Sequence, residues 1–294
     1  LATAHVALGM ALAAGGQNGE AVREFERARD LDPLSGPAHL GLAKIRSAQG
    51  QTEEAERLYQ KAIGLNPGDW LPIAEAGFFY YRRARYADAI AQWSKALELS
   101  ADNVLIMRNL AAGYHMNGQY AEAVSTLQRA LELDPSAAIW ANLGTWRFFQ
   151  GRYADAVSAM EKATQLAPNN YLYWGNLGDA YRWAPGARGK AGAGYARAIQ
   201  LAREALAVNP NDSTVQSRLG VYLAKTGDEH AALAEMTQAR QRAANDPAIL
   251  FGSALVYELA HRRDQALAML ERSIKLGYSM HEVVNEPEFV ALRS

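Results

Sequence analysis

Three short stretches of this sequence have the residue types and spacings of ligand-binding or catalytic motifs, and each lacks a required atom. In Ala184-Pro185-Gly186-Ala187-Arg188-Gly189-Lys190-Ala191 a Gly-Lys pair closes a small-residue run, as in loops whose N–H groups wrap phosphates. Its first glycine is replaced by Ala184, the magnesium-binding hydroxyl by Ala191, and no strand pattern precedes it. Gly192-Ala193-Gly194 opens like a dinucleotide fingerprint, but Arg197 stands where the third glycine would let helix and strand approach. Glu258 and His261 have the Glu-x-x-His spacing of a di-metal bundle, which needs two such pairs and further carboxylates. The six histidines (His5, His39, His115, His230, His261 and His281) are otherwise scattered, with no His-Glu-x-x-His among them. The sequence has no cysteine, which removes thiolate zinc sites, disulfides and thiol nucleophiles, and it has no Gly-x-Ser-x-Gly elbow. The reading is therefore of a non-enzymatic chain, with no metal and no cofactor.

One spacing does survive as a candidate for binding. Asn109, Asn142 and Asn176 each stand directly before a leucine and a small residue: Leu110-Ala111, Leu143-Gly144 and Leu177-Gly178. An asparagine amide offers both donor and acceptor, so a row of them can pair with the backbone of an extended peptide without reading its side chains. The same amides can equally satisfy backbone groups or water between neighbouring helices.

Composition narrows the partner. The 294 residues carry a formal charge of −1 and are 49% apolar, so neither disorder nor a polyanion is implied and nucleic acid is not an expected ligand. No stretch reaches the roughly 18 uninterrupted apolar residues of a membrane helix, and membrane insertion is not expected. Leu1–Met10 is apolar but lacks the positive front of a signal peptide, so it reads as mature structure; the compartment stays open, with the cytoplasm slightly favoured. The chain opens on Leu1, nearly in phase with a repeat, as expected of a piece of a longer protein.

The elements that position these residues follow from an internal period. Phe25, Tyr59 and Trp93 lie 34 residues apart, as do Ala21, Ala55 and Ala89, and Ala28, Ala62 and Ala96, while Pro33 recurs as Pro67. In Trp140–Arg147 the apolar residues recur at helical spacing, which predicts a first helix with one buried stripe. Gly118 and Gly151 mark sharp turns within pairs, and Asp32-Pro33, Asn66-Pro67, Asp134-Pro135 and Asn209-Pro210 stop second helices. Large residue, Leu-Gly, aromatic, Ala, large apolar, Ala and Pro at these offsets resembles the helix-turn-helix signature of the tetratricopeptide-repeat (TPR) family.

The resemblance covers nearly the whole chain. It divides residues 1–294 into a single array with units at 2–35, 36–69, 70–103, 104–137, 137–170, 171–212, 213–246 and 247–280, and a closing segment at 281–294 that caps the last unit. Two departures are expected to show. The third unit ends without proline, so its junction should be less defined, and the sixth carries an inserted loop over 183–194 between its helices. A minority reading makes that loop a lip over a groove, armed by Arg182, Trp183, Arg188 and Lys190.

The resemblance implies an all-α, right-handed α-α superhelix of stacked antiparallel helix pairs, with a concave face lined by first helices. Carrying the family's groove positions onto this sequence nominates Phe78, Tyr81 and Arg82, then Arg108, Ala112, His115 and Met116, then Thr145, Phe148 and Phe149. Asp179, Arg182 and Trp183 follow, with Ser217, Val221 and Lys225 beyond. Glu75, Arg218 and Gly252 stand at the rungs beside the asparagine row. The positions at which some TPR domains clamp a chaperone tail hold Val6, Met10, Leu40 and Lys44, which argues against such a clamp. The function implied is a scaffold that binds a partner protein or extended peptide in its groove. The alternative is a sensing or regulatory region of a larger bacterial signalling protein, with a kinase, cyclase or transcription regulator upstream. The pattern sets neither the partner's identity nor the oligomeric state.

Overall fold

A computed structural model describes residues 1–293, so Ser294, the last residue of the expected closing segment, lies outside the described residues. The chain forms two compact units, the first ending at Leu133 and the second beginning at Asp134. The first contains α1 (Ala2–Ala14), α2 (Asn18–Leu31), α3 (Gly36–Ala48), α4 (Thr52–Leu65), α5 (Trp70–Tyr81), α6 (Tyr86–Leu99), α7 (Val104–Met116) and α8 (Tyr120–Leu133). The second contains α9 (Ala137–Phe149), α10 (Tyr153–Leu166), α11 (Tyr171–Trp183), α12 (Ala191–Val208), α13 (Ser213–Lys225), α14 (Glu229–Arg242), α15 (Pro247–Leu259), α16 (Arg263–Lys275) and α17 (Met280–Asn285). Within each unit consecutive helices pack as pairs, and no strand occurs among the described residues. The all-α class of stacked helix pairs is what the structure shows.

Second helices bury one narrow stripe in which a large residue is flanked by alanines four before and three after. Ala21, Phe25 and Ala28 form it in α2, Ala89, Trp93 and Ala96 in α6, and Ala156, Met160 and Ala163 in α10. The large side chain then wedges against first helices at their glycines. A Cβ on Gly41 would lie 2.5 Å from the Phe25 ring, and one on Gly77 2.5 Å from Nε1 of Trp93. The seam therefore requires a small residue there, because no low-energy shift frees that volume in a close-packed interior.

Turn chemistry is local. Gly118 and Gly151 take φ of 79° and 73°, in the left-handed region where a Cβ is unfavourable. His261 occupies an equivalent turn with φ 56°, so it is a turn residue. No group of three or more metal-ligating side chains occurs among the described residues.

Both expected departures differ from the sequence reading. The junction after α6 keeps the extended geometry of the others at Ser100 (φ −142°), and the Asn103 side chain caps α7 by accepting from the Ile106 N–H at 3.2 Å. The same side-chain cap opens first helices at the proline-containing junctions, at Asp69, Asn170 and Asp212, so the start of α7 does not depend on a proline. The insertion is only partly a loop: Arg188–Lys190 is a 3₁₀ turn and residues 191–194 already belong to α12, which runs to 18 residues. Gly194 lies in that helix because it packs on Gly178, where a Cβ would sit 3.0 Å from the facing Cα.

Candidate functional site

In the first unit α1 touches α3 and α5 touches α7, so first helices share a face. A cavity of about 400 Å³ opens on it, lined by Lys44, Glu75, Phe78, Arg82, Leu105 and Asn109 among others. Phe78 is 47% exposed, and the Arg82 guanidinium lies 5.9 Å from its ring centre. Lys44 pairs with Glu75 at 2.8 Å. Arg108 is half-buried, with an Nε that has no hydrogen-bond partner. Two nominated residues are placed differently. Tyr81 turns away from the cavity to pack against Trp93 and Tyr86, with ring centres 5.6 and 5.5 Å apart. His115 is buried at 5% exposure, edge-on to Tyr120, because its position on α7 faces the second helix of its own pair; it is a packing residue.

In the second unit the corresponding face is built by α9, α11, α13 and α15. A cavity of about 210 Å³ is lined there by Thr145, Phe148, Phe149, Asn176, Asp179, Arg218, Val221, Tyr222 and Lys225, and by Tyr278, Glu282 and Glu286. Phe148 is largely buried, its ring edge-on to Phe149 and Tyr153, and Trp183 leans on Tyr153 at 6.2 Å. The helices thus bring Phe148, Phe149, Asn176, Asp179 and Lys225 together, with Trp183 set to one side.

The asparagine row is half-buried at all three positions. Asn176 donates to the Thr145 hydroxyl at a long 3.4 Å, while the Asn109 and Asn142 side chains make no hydrogen bond to the described residues. No hydrogen bond from these three amides to a backbone group occurs among the described residues.

Charge in the second unit is dense. The Lys225 side chain is 4% exposed and paired with Asp179, which also accepts from the Tyr195 hydroxyl at 2.6 Å. Burial opposes the ammonium charge, but Asp179, Glu286 and Glu288 outweigh it and hold the Lys225 pKa above its ordinary value. Burial and the Asp179 carboxylate push the Tyr195 phenol far up, so it acts as a donor. Arg182 is engaged too, by Glu288 at 2.8 Å.

Several residues of this cavity were not nominated from the sequence. Arg218 is exposed to the cavity and makes no ion pair or hydrogen bond with the described residues. It stands at the rung after Asn176, a position that the repeat could have flagged. The buried Tyr222 hydroxyl, one turn on, also has no hydrogen-bond partner. Tyr278, Glu282 and Glu286 arrive from the closing segment, for which no repeat position exists.

Glu286 supplies a testable pH dependence. Burial raises its pKa from 4.5 to about 7; Lys225 and the Glu288 backbone N–H oppose the rise, while the Asp179 carboxylate adds to it. Arg182, Arg218, Glu282, Tyr195 and Tyr278 are the other charged or titratable groups around this region. Because the docked value exceeds the exposed one, docking of the segment is fully favoured below about pH 4.5 and weakens as pH rises through about 7. Between pH 6 and 8 the docking equilibrium should fall about tenfold, and Glu286→Gln should abolish that fall. Fluorine NMR of a 4-fluorophenylalanine-labelled chain, read at Phe289, counts the two populations; a pH-independent ratio in the unaltered chain would refute the assignment.

Comparison with known proteins bears on the fold. No curated protein matches the chain. Among solved structures, MamA is 22% identical with a TM-score of 0.53, covering 59% of this chain and 94% of its own. A tetratricopeptide repeat protein from Parabacteroides merdae ATCC 43184 is 14% identical with a TM-score of 0.61, covering 88% and 99%. The APC/C hetero-tetramer Cut9-Hcn1 gives 15% identity and a TM-score of 0.56, covering 90% and 51%. At these identities the likeness is one of fold. Two sequence-family profiles, both described as tetratricopeptide repeat, match residues 104–169 in one case and 6–69 and 190–248 in the other. Together they span more than half of the sequence, and the chain belongs to the tetratricopeptide-repeat family.

Proposed function

We propose that this chain is a protein-interaction scaffold that holds an extended peptide of a partner along the face made by its first helices, and that it binds without catalysing. The observation that carries this reading is the asparagine row. Asn109, Asn142 and Asn176 occupy one repeat position, lie half-buried, and leave their amide groups almost wholly unused inside the chain. Asn109 and Asn176 each line a cavity of their unit. Half-buried amides without partners are free to donate to and accept from a peptide backbone. Exposed Phe78 and the rings beside Asn176 add apolar contact, and Arg82 and Arg218 add positive charge. A related fold occurs in a protein assembly, the APC/C hetero-tetramer Cut9-Hcn1, which supports the coarser reading of a scaffold.

The test is affinity capture with the unaltered chain and with Asn109→Ala, Asn142→Ala and Asn176→Ala combined. Three lost hydrogen bonds at about 0.5–1.5 kcal/mol each should weaken a captured partner tenfold or more. Thermal unfolding should hardly change, since the three amides make only one long hydrogen bond inside the fold. Equal affinity in the triple variant would sink the reading.

The second reading, a sensing or regulatory region of a larger bacterial signalling protein, gains support from the closing segment. It reaches α11, where Glu288 meets Arg182 across 106 positions of sequence, so the face already carries an occupant that a signal could displace.

A further inference from the structure

The closing segment was expected to cover the end of the last helix pair. It does so through Phe289, which is 1% exposed and edge-on to Phe251 at 5.6 Å, but it also extends across the binding face. After α17, the 3₁₀ segment Pro287–Arg293 directs Glu288 to α11, where Arg182 grips the carboxylate with Nε to Oε1 at 2.8 Å and Nη2 to Oε2 at 3.5 Å. The Glu288 side chain is 8% exposed, so this ion pair is largely removed from water, although Oε1 itself accepts no well-aligned hydrogen bond. Glu286, 5% exposed, lies in the field of Lys225 on α13. Two carboxylates one residue apart, followed by an aromatic ring, thus meet Arg182, Lys225 and Phe251 from three first helices.

We propose that this face is a receptor for an acidic-aromatic peptide of the form Glu-x-Glu-Phe, and that Glu286–Phe289 is the chain's own stand-in for that partner, displaced when the partner arrives. The inference deepens the proposed function and rests on it only for the identity of the face.

Two observations mark the segment as an occupant that can be outcompeted. It leaves part of the face unused: the cavity beside it still holds about 210 Å³, with Arg218 unpaired and Asn176, Thr145 and Phe149 on its walls. A partner that continues past the Glu-x-Glu-Phe core with one more carboxylate would meet Arg218, a contact that the chain's own segment does not make. The segment is also docked against resistance, since burial disfavours a charge on Glu286 and Lys225 offsets that only in part. A longer peptide gains contacts that the short stand-in lacks and can place a neutral residue where Glu286 sits.

The experiment uses the full chain and a fluorescent peptide with the sequence of residues 280–294. The peptide is titrated against the unaltered chain and against Glu288→Ala/Phe289→Ala, with helicity checked by circular dichroism. Binding at least tenfold tighter in the double variant is expected, together with loss of binding in a triple variant that adds Arg182→Glu and its recovery there with a Glu288→Arg peptide. Should the double variant fail to fold, Glu288→Gln keeps Phe289 in the core and should still gain about threefold. No binding to a folded variant, or equal binding to variant and unaltered chain, would overturn the proposal. A dimer by light scattering whose formation requires segment exchange would overturn it as well, making a second copy the occupant. Because the probe is the chain's own segment, failure here leaves the asparagine test standing, and failure there leaves this one.

Discussion

Trp93→Ala is expected to destabilise the first unit by about 3–5 kcal/mol, the range for truncating a fully buried large aromatic. Trp93 is 1% exposed, and its indole N–H donates to the Ala74 carbonyl at 3.0 Å. The ring lies between two first helices: a Cβ on Gly77 would come within 2.5 Å of it, and one on Gly113 within 3.1 Å. Removing the ring empties the seam between α5 and α7, and the helices cannot close the gap because the flanking Ala89 and Ala96 already hold α6 in contact. In a stack where each pair is supported chiefly by its neighbours, the loss should be concentrated around that seam. Hydrogen exchange should therefore accelerate most in α5, α6 and α7. Phe78→Ala, one residue from Gly77 but 47% exposed, is the matched control and should stay within about 1 kcal/mol. A loss below about 1 kcal/mol for Trp93→Ala would mean that the ring does not wedge the seam.

The same residues explain what the sequence made legible. Phe25 and Trp93 recur because a large residue of the second helix wedges against glycines of first helices, while Tyr59 fills the same position beside Ala43 and Ala76, so the need for small residues opposite a large one writes a period into the chain. The helical fold followed from it. What escaped reading was decided by contacts rather than by local preference. Gly192 and Gly194 read as loop, yet tertiary packing of Gly194 on Gly178 outweighs glycine's poor helix propensity and draws both into α12. Loss of a proline after α6 read as a weaker junction, but α6 ends at Ser100 in the same extended geometry as its counterparts and Asn103 caps the start of α7.

The proposed binding face rests on register alone. Asn109, Asn142 and Asn176 fell on one position, whereas His115 at a neighbouring position turned inward, because one helical position separates a groove side chain from a seam side chain. Arg218 stands at the rung that ends the asparagine row, so the register noted it as a break, and only the structure shows that it is a cation of the second cavity without an ion pair or hydrogen bond among the described residues. Glu286 and Glu288 carried no signal, since a pair that closes 106 positions of chain leaves no local trace.

Asp179→Asn should be the most damaging polar substitution in the second unit, and its pH profile is the diagnostic part. The amide keeps the shape and can still accept from the Tyr195 hydroxyl, so what is lost is the charge opposite Lys225. An ammonium whose side chain is 4% exposed then loses its close counter-ion, a change of about 3–5 kcal/mol when one partner of a buried pair is removed. Glu286 limits the damage. Its pKa of about 7 is held up in part by Asp179, so removing that carboxylate lowers the value and lets Glu286 ionise as a substitute counter-ion. The loss should therefore be largest below about pH 5, where Glu286 is protonated, and smaller near pH 8. For the same reason the fall in segment docking between pH 6 and 8 should shrink in Asp179→Asn. Adding Lys225→Met removes the stranded charge and should recover most of the stability, with little pH dependence left at this position. Denaturant unfolding of the single and double variants at pH 5 and pH 8 decides the matter: a uniform loss at both values, unrelieved by Lys225→Met, would show that Asp179 acts through packing and not as the partner of Lys225.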